Sequence, residues 1–159
     1  MRIEFRKAQI PAEVKMLARF DKRIFPSDSF PEDMWLSYEA WWMTLDGRRI
    51  GCCAFEPHVD FQKNTDKDFS PRRRGSLYVA TTGILPEFRR CGFGKVMKAW
   101  QVAYARFLNF KRIVTNTRKS NKAMIQLNRQ FGFRKIATVP NYHEYPQEAT
   151  VVMELVLRR

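Results

Sequence analysis

The sequence has few cysteines, no long apolar run and far fewer acidic than basic residues. Its three cysteines, Cys52, Cys53 and Cys91, are odd in number and lack metal-ligand spacing. They predict neither a disulfide framework nor a zinc site, and they favour a reducing compartment. No apolar stretch approaches the ~18 residues that a membrane-spanning helix needs, and the charged N-terminus lacks the apolar core of a signal peptide. These absences predict a soluble, cytoplasmic protein.

The positive charge is the strongest feature of the composition. Lys and Arg number 29 against 16 Asp and Glu, which gives a net charge of +13 in 159 residues. Such an excess suggests an anionic partner, namely a phosphorylated cofactor, a nucleic acid or an acidic substrate, but it is also typical of a solvated basic surface. Without repeats or a composition break, the length predicts a single domain over residues 1–159.

The hydrophobic pattern predicts seven strands and four helices in the order β-α-α-β-β-β-α-β-α-β-β. Asp46-Gly47, between two β-prone runs, predicts a tight hairpin in which both turn residues have positive φ. The polar segment 56–75 is too long for an ordinary connection, so we interpret it as mobile or functional. Strands are predicted at residues 2–6, 38–45, 48–55, 77–85, 112–117, 133–139 and 151–157. Helices are predicted between Pro11 and Pro26, where apolar residues recur at 14, 17, 20 and 24, and at 31–36, 96–109 and 122–131.

Residues 86–95 form a short turn with clustered Arg and two glycines, Gly92 and Gly94, between a strand and a helix. The first N–H groups of a helix have no intrahelical acceptor and carry a partial positive charge, so they bind anions. Glycine lets the backbone approach an anion closely. The turn therefore predicts a phosphate site.

Two motifs resemble the GNAT family of acyl-CoA-dependent N-acyltransferases. One is Ile84-Leu85-Pro86 followed by Arg89-x-x-Gly92-x-Gly94, and the other runs from Asn121 through Leu127 and Asn128 to Gly132-Phe133. The resemblance implies an α+β three-layer fold with a mixed central sheet and helices on both faces. It also implies acetyl-CoA as co-substrate and direct acetyl transfer to an amine.

The resemblance implies a set of cofactor-binding residues in these two motifs. The pyrophosphate of coenzyme A is expected on the backbone N–H groups from Arg89 to Lys95, with the pantetheine arm along the strand end at Ile84. Cys91 is interpreted as a backbone donor and not as a nucleophile. The cofactor-binding residues are then Ile84, Arg89, Arg90, Cys91, Gly92, Phe93, Gly94, Lys95, Asn121 and Asn128.

The catalytic residues are harder to predict. The family often has a Tyr, which protonates the departing sulfur, where this chain has Asn128. An amide donates a hydrogen bond but gives up no proton, so Asn128 is expected to orient or hydrogen-bond the cofactor. The alternative is that Asn128 is a core residue whose partners belong to the protein. Some members have a Glu base where this chain has Tyr78, so Tyr78 and Glu56 are the candidate bases. The alternative roles are an aromatic wall for Tyr78 and a surface charge for Glu56. Tyr142, His143, Glu144 and Tyr145 are candidates for the acceptor side.

Two other function classes stay open at this point. A catalytically silent acyl-CoA-binding module would be stabilised by CoA without turnover. A nucleic-acid-binding domain is suggested by the charge and by residues 72–74, although no nucleic-acid motif is present. His58 and Asp60 lack further ligands at matching spacing, so we predict no metal. The expected partners are a small-molecule or peptide amine, with a homodimer as an option. A nucleic acid is less favoured than an amine, and no membrane partner is expected.

Overall fold

The computed structural model describes residues 1–61 and 72–158, and for Arg72 the main chain alone. Within those residues it contains seven strands and four α-helices, as the hydrophobic pattern predicted. The elements are β1 (Ile3–Lys7), α1 (Val14–Ile24), α2 (Glu32–Trp35), β2 (Glu39–Leu45), β3 (Arg48–Val59), β4 (Arg72–Ile84), α3 (Phe93–Phe107), β5 (Arg112–Arg118), α4 (Lys122–Gln130), β6 (Arg134–His143) and β7 (Glu148–Val156). A short 3₁₀ helix, Pro86–Phe88, lies between β4 and α3.

The strands form one mixed sheet in the order β1-β2-β3-β4-β5-β7-β6. β4 and β5 are parallel, and their connection contains α3, as a crossover between parallel strands requires. β1 with β2, β2 with β3, β5 with β7 and β6 with β7 pair antiparallel. The predicted fold class, a mixed sheet with four helices in this chain order, is confirmed.

The Asp46-Gly47 hairpin forms as predicted. Asp46 has φ 49° and Gly47 has φ 85°, the left-handed pair that matches the twist of the flanking strands. The N–H of Asp46 donates to the carbonyl of Arg2, and the Asp46 carboxylate accepts from the Arg2 N–H, both at 2.8 Å. The turn therefore also anchors the start of the chain.

Five strands, β3 to β7, are longer than predicted, and β3, β4 and β6 gain the most residues. β3 continues to Val59 and β4 begins at Arg72, so much of the predicted 56–75 connection is strand, while residues 62–71 lie outside the described residues. β6 continues through Pro140 to His143. Proline is tolerated there because β6 is a sheet edge, and a register shift after Val139, with Asn141 at φ 54°, marks an irregularity.

The chain contacts divide into two compact units, Met1–Glu56 with Ala80–Met97, and Pro57–Val79 with Lys98–Arg159. The first has a core of apolar side chains from α1, α2 and the strands around them. Its buried members include Val14, Leu17, Ile24, Trp35, Trp42, Cys52 and Leu85.

The second unit buries apolar side chains of β4, β5 and β7, together with residues of α3 and α4. They include Leu77, Val79, Ala105, Ile113, Val114, Ile125, Val152 and Met153, and Phe133 between α4 and β6 is also buried. The single-domain assignment stays a prediction from length and composition. In the described part of the chain, none of the helices combines the length and the apolarity that crossing a membrane requires.

Candidate functional site

The turn that follows β4 exposes a row of main-chain donors. The N–H groups of Phe88 and Arg89 donate to Leu85 and Pro86, and that of Val96 donates to Gly92. The six N–H groups that lie between these, from Arg90 to Lys95, have no main-chain acceptor within the described residues. The row lies at the N-terminus of the 15-residue helix α3, where the helix dipole adds positive potential.

The backbone of this turn is shaped for an anion. Arg90 has φ 60° and Gly92 has φ 85°, so left-handed residues alternate along the turn and tilt successive N–H groups toward one side. A Cβ added at Gly92 would meet nothing within 4 Å, so its surroundings are open. The turn residues at 89–92 are exposed, whereas Phe93 is buried and fixes the start of α3.

The Arg89 side chain has partners within the protein. Its guanidinium donates to the carbonyl of Ile24 at 2.9 Å, through Nη2, and to that of Ile84 at 3.3 Å, through Nε. Its N–H is also in use, so the row of free donors begins at Arg90 and not at Arg89. The side chain therefore joins the end of α1 to the end of β4.

Two more contacts fasten α1 to the same turn. Arg23 Nη2 lies 2.8 Å from Glu87 Oε1. Gly83 packs so closely on α1 that an added Cβ would lie 2.6 Å from Ile24 Cγ2. The C-terminal turn of α1 is thus the support on which the anion-binding turn rests.

In the second unit, Asn121 directly precedes α4 and Asn128 lies on it. The Asn121 side chain caps the helix by accepting the Met124 N–H at 3.2 Å. Asn128 is fully buried, with Nδ2 3.7 Å from Met153 Sδ and with no partner for Oδ1 among the described residues. An orphaned buried acceptor costs about 1–3 kcal/mol, so it calls for a donor that the described residues do not supply.

Tyr78 belongs to a hydrogen-bonded chain that crosses three strands. Its hydroxyl donates a short hydrogen bond to Asn116 Oδ1. Asn116 Nδ2 donates to Thr150 Oγ1 at 3.1 Å, and Thr150 donates to the Thr117 carbonyl at 3.0 Å. Sequence reasoning missed Asn116, although a polar residue after the apolar run of β5, next to the central strand, was a signal.

A row of aromatic side chains extends from Tyr78 within this unit. The Phe61 ring lies 6.3 Å from the Tyr78 ring and 5.2 Å from that of Tyr142, which in turn lies 5.0 Å from the His143 ring. Burial raises the pKa of Tyr142. Tyr145 is 83% exposed, so it does not join this group.

The remaining candidates lie near the end of β3. Burial raises the pKa of the Glu56 carboxyl, which makes it a better proton acceptor than an exposed Glu. His58 accepts the Gly75 N–H at 3.1 Å, and Asp60 pairs with Arg73 at 3.0 Å. Among the described residues no group of three metal-binding side chains occurs, and the absence of a metal stays a prediction.

Comparison with known proteins agrees with this geometry. Residues 12–133 match the Acetyltransferase (GNAT) family. The N-alpha-acetyltransferase 50 of Danio rerio is 27% identical over 154 residues, which cover 91% of this chain and 83% of the relative. The ribosomal-protein-S18-alanine N-acetyltransferase of Escherichia coli superposes with TM-score 0.81 at 13% identity, covering 99% of this chain and 96% of the other. An acetyl-CoA-bound GNAT acetyltransferase from Elizabethkingia anophelis gives TM-score 0.76 at 16% identity, covering 98% of both chains.

The family match spans more than half of the chain, so the chain belongs to the GNAT acetyltransferase family. It is an acetyl-CoA-dependent N-acetyltransferase, as its motifs predicted. The donors of the turn fit the phosphates of acetyl-CoA, because a pyrophosphate is held by N–H groups that have no other acceptor. The orphaned Oδ1 of Asn128 fits an amide N–H.

Proposed function

We propose that the acceptor is the α-amine at the N-terminus of a polypeptide. The two relatives named above as N-alpha-acetyltransferase 50 and as ribosomal-protein-S18-alanine N-acetyltransferase support this class. The chemistry of the described residues supports it as well. An α-amine has a pKa of about 8 and a lysine amine one of about 10.4, so far more α-amine is unprotonated at neutral pH.

The observation that carries the proposal is the hydrogen-bonded chain of Tyr78, Asn116 and Thr150. Because the Tyr78 hydroxyl gives its proton to Asn116, its oxygen presents lone pairs and accepts an N–H. Asn116 is fixed in that orientation by Thr150. A tyrosine hydroxyl held in this way orients an amine that is already neutral, but it is a poor base for removing the proton of a charged amine. The arrangement therefore suits an α-amine better than a lysine.

The aromatic group of Phe61, Tyr78 and Tyr142 supplies an apolar wall. We assign it to the first side chains of the acceptor peptide. Glu56, whose pKa is raised by burial, is the proposed final acceptor for the amine proton.

On the acetyl-CoA side, we assign phosphate binding to the N–H groups of Arg90, Cys91, Gly92, Phe93, Gly94 and Lys95. Asn128 Oδ1 is assigned to an amide N–H of the pantetheine arm. Bound acetyl-CoA supplies the thioester. Its leaving group is the thiolate of a thiol with a pKa of about 8.5, so it departs without a strong acid. Replacing Asn128 with Leu, of similar size, is expected to raise the KM for acetyl-CoA, whereas a purely structural Asn would leave that KM unchanged.

The acceptor class is tested with two peptides of one sequence. The first has a free N-terminus and acetylated lysines, and the second has a blocked N-terminus and one free lysine. We expect kcat/KM to be at least a hundredfold higher for the first. Equal values, or a preference for the lysine peptide, would contradict the α-amine proposal. Cytoplasmic location stays a prediction from the sequence.

A further inference from the structure

A second site of positive charge lies in the unit that contains α4. A concave groove of about 410 Å³ is formed by α4, the end of β5 and the β6–β7 pair. We call it the basic groove, and it is lined by Lys119, Lys122, Ile125, Gln126, Arg129, Lys135, Thr138 and Val151.

The basic groove contains four cations and no acidic side chain. The acidic residues of the neighbouring strand β7 are already paired: Glu148 lies 3.0 Å from Arg118, and Glu154 lies 3.4 Å from Arg73. Lys119, Arg129 and Lys135 are exposed and have no carboxylate partner among the described residues. Their charges are thus available to an external anion.

The spacing of the cations fits an extended anion and not a single small one. Lys122 and Arg129 lie two turns apart on one face of α4, about 10 Å along its axis. Lys135 approaches the same groove from β6. Asn128, by contrast, points from α4 toward Met153, so the basic groove uses a different face of the helix from the residue assigned to acetyl-CoA.

We propose that the basic groove binds the phosphodiester backbone of a nucleic acid. Three lysines and one arginine act as point charges for phosphates, and Gln126 and Thr138 add neutral hydrogen-bond donors. No aromatic side chain lines the groove, so bases are not stacked and binding does not depend on sequence. The net charge of +13 attracts the same polyanion over longer distances. An acidic peptide is the competing ligand.

The test is the anisotropy of a fluorescent, unstructured 20-nucleotide RNA titrated with the full chain over a range of salt concentrations. The groove variant carries Lys119→Gln, Arg129→Gln and Lys135→Gln. The matched control removes the same charges from exposed positions of the other unit, with Lys7→Gln, Lys15→Gln and Arg19→Gln.

We expect the groove variant to bind RNA at least tenfold more weakly than the control variant. For the groove variant, the slope of the logarithm of the RNA association constant against the logarithm of salt concentration is expected to become shallower by about 2. Each of the three lost phosphate contacts contributes ~0.7 to this slope. Equal losses in both variants would overturn the proposal in favour of diffuse charge, and no loss in either would overturn it outright.

Two further arms separate other ligands. Saturating CoA should leave the RNA affinity unchanged, since competition would make the groove part of the acetyl-CoA site. A poly-glutamate peptide that binds the groove more tightly than RNA would replace the nucleic acid with an acidic protein. The groove variant should keep its acetyl-transfer rate, so failure here is distinct from failure of the proposed acceptor.

Discussion

Single side chains decide the chemistry of this acetyltransferase. The phenol of Tyr78 is oriented by Asn116, and the buried amide of Asn128 lacks one partner. Neither group is a strong acid or base. In the proposed mechanism, the protein therefore contributes by placing a neutral amine and by holding the thioester, more than by moving protons at a single residue.

The first prediction concerns the Tyr78 hydroxyl. Tyr78→Phe keeps the ring that contacts Phe61 but removes the oxygen that is proposed to accept the amine N–H. We expect kcat to fall about a hundredfold while the KM for acetyl-CoA changes less than twofold, measured by steady-state kinetics. Tyr142→Phe is the matched control, because it removes a hydroxyl from the same aromatic group. Equal effects of the two substitutions would contradict the role given to Tyr78.

A second prediction concerns Asp21, a buried carboxyl in the core of the first unit. Its Oδ2 accepts the Phe30 N–H at 2.7 Å and Oδ1 has no partner among the described residues. Burial raises its pKa from 3.8 to about 6. The folded state thus holds the proton more tightly than the unfolded state, so ionisation of Asp21 lowers the free energy of unfolding as the pH rises from 3.8 to 6.

Asp21→Asn removes this titration and keeps the shape of the side chain. The stability of the variant relative to wild type should increase by about 1–2 kcal/mol between pH 5 and pH 8. Urea unfolding at the two pH values measures the difference. A difference that does not depend on pH would show that Asp21 is not protonated near pH 6.

At the scale of elements, the anion-binding turn depends on α1. Arg89 bonds the carbonyls of Ile24 and Ile84, and Arg23 pairs with Glu87 of the 3₁₀ helix. Helix α1 was predicted from its own periodicity, but its contact with the turn was not. Side-chain partners that are 65 residues apart along the chain leave no local pattern.

Arg89→Lys separates position from charge. Lysine keeps the positive charge but lacks the fork that reaches two carbonyls, so the turn loses its link to α1. We expect the KM for acetyl-CoA to rise about tenfold with a smaller change in kcat. Arg90→Lys is the control, because the exposed Arg90 has no side-chain bond to the described residues. A wild-type KM in Arg89→Lys would mean that its charge, and not its placement, matters.

Two glycines allow a matched test of the turn itself. Gly92 and Gly47 both have φ 85°, and an added Cβ would meet nothing within 4 Å at either position. Alanine should cost both about 1–2 kcal/mol of stability through backbone strain alone. Only Gly92→Ala should also raise the KM for acetyl-CoA, because only that turn is proposed to bind the phosphates of acetyl-CoA. Equal KM values for acetyl-CoA in the two variants would show that the turn is not part of the acetyl-CoA binding site.

For the whole molecule, the order of elements and the family could be predicted from the sequence. The hairpin at Asp46 and the cap at Asn121 are set by adjacent residues, so their local patterns predict them. The Asn116 partner of Tyr78 and the carbonyl partners of Arg89 depend on strand register and tertiary packing, which short patterns do not contain. The length of β6 was also missed, because Pro140 reads as a strand end unless the strand is known to be a sheet edge.

The central claim is that this chain transfers acetyl groups and does not merely bind acetyl-CoA. The most direct measurement is the release of free thiol from acetyl-CoA with and without a peptide that has a free N-terminus. We predict release that depends on the peptide and saturates with both substrates, together with one acetyl group gained at the α-amine. Thermal stabilisation by CoA without peptide-dependent thiol release, over a panel of amines, would contradict the account and identify a silent acyl-CoA-binding protein.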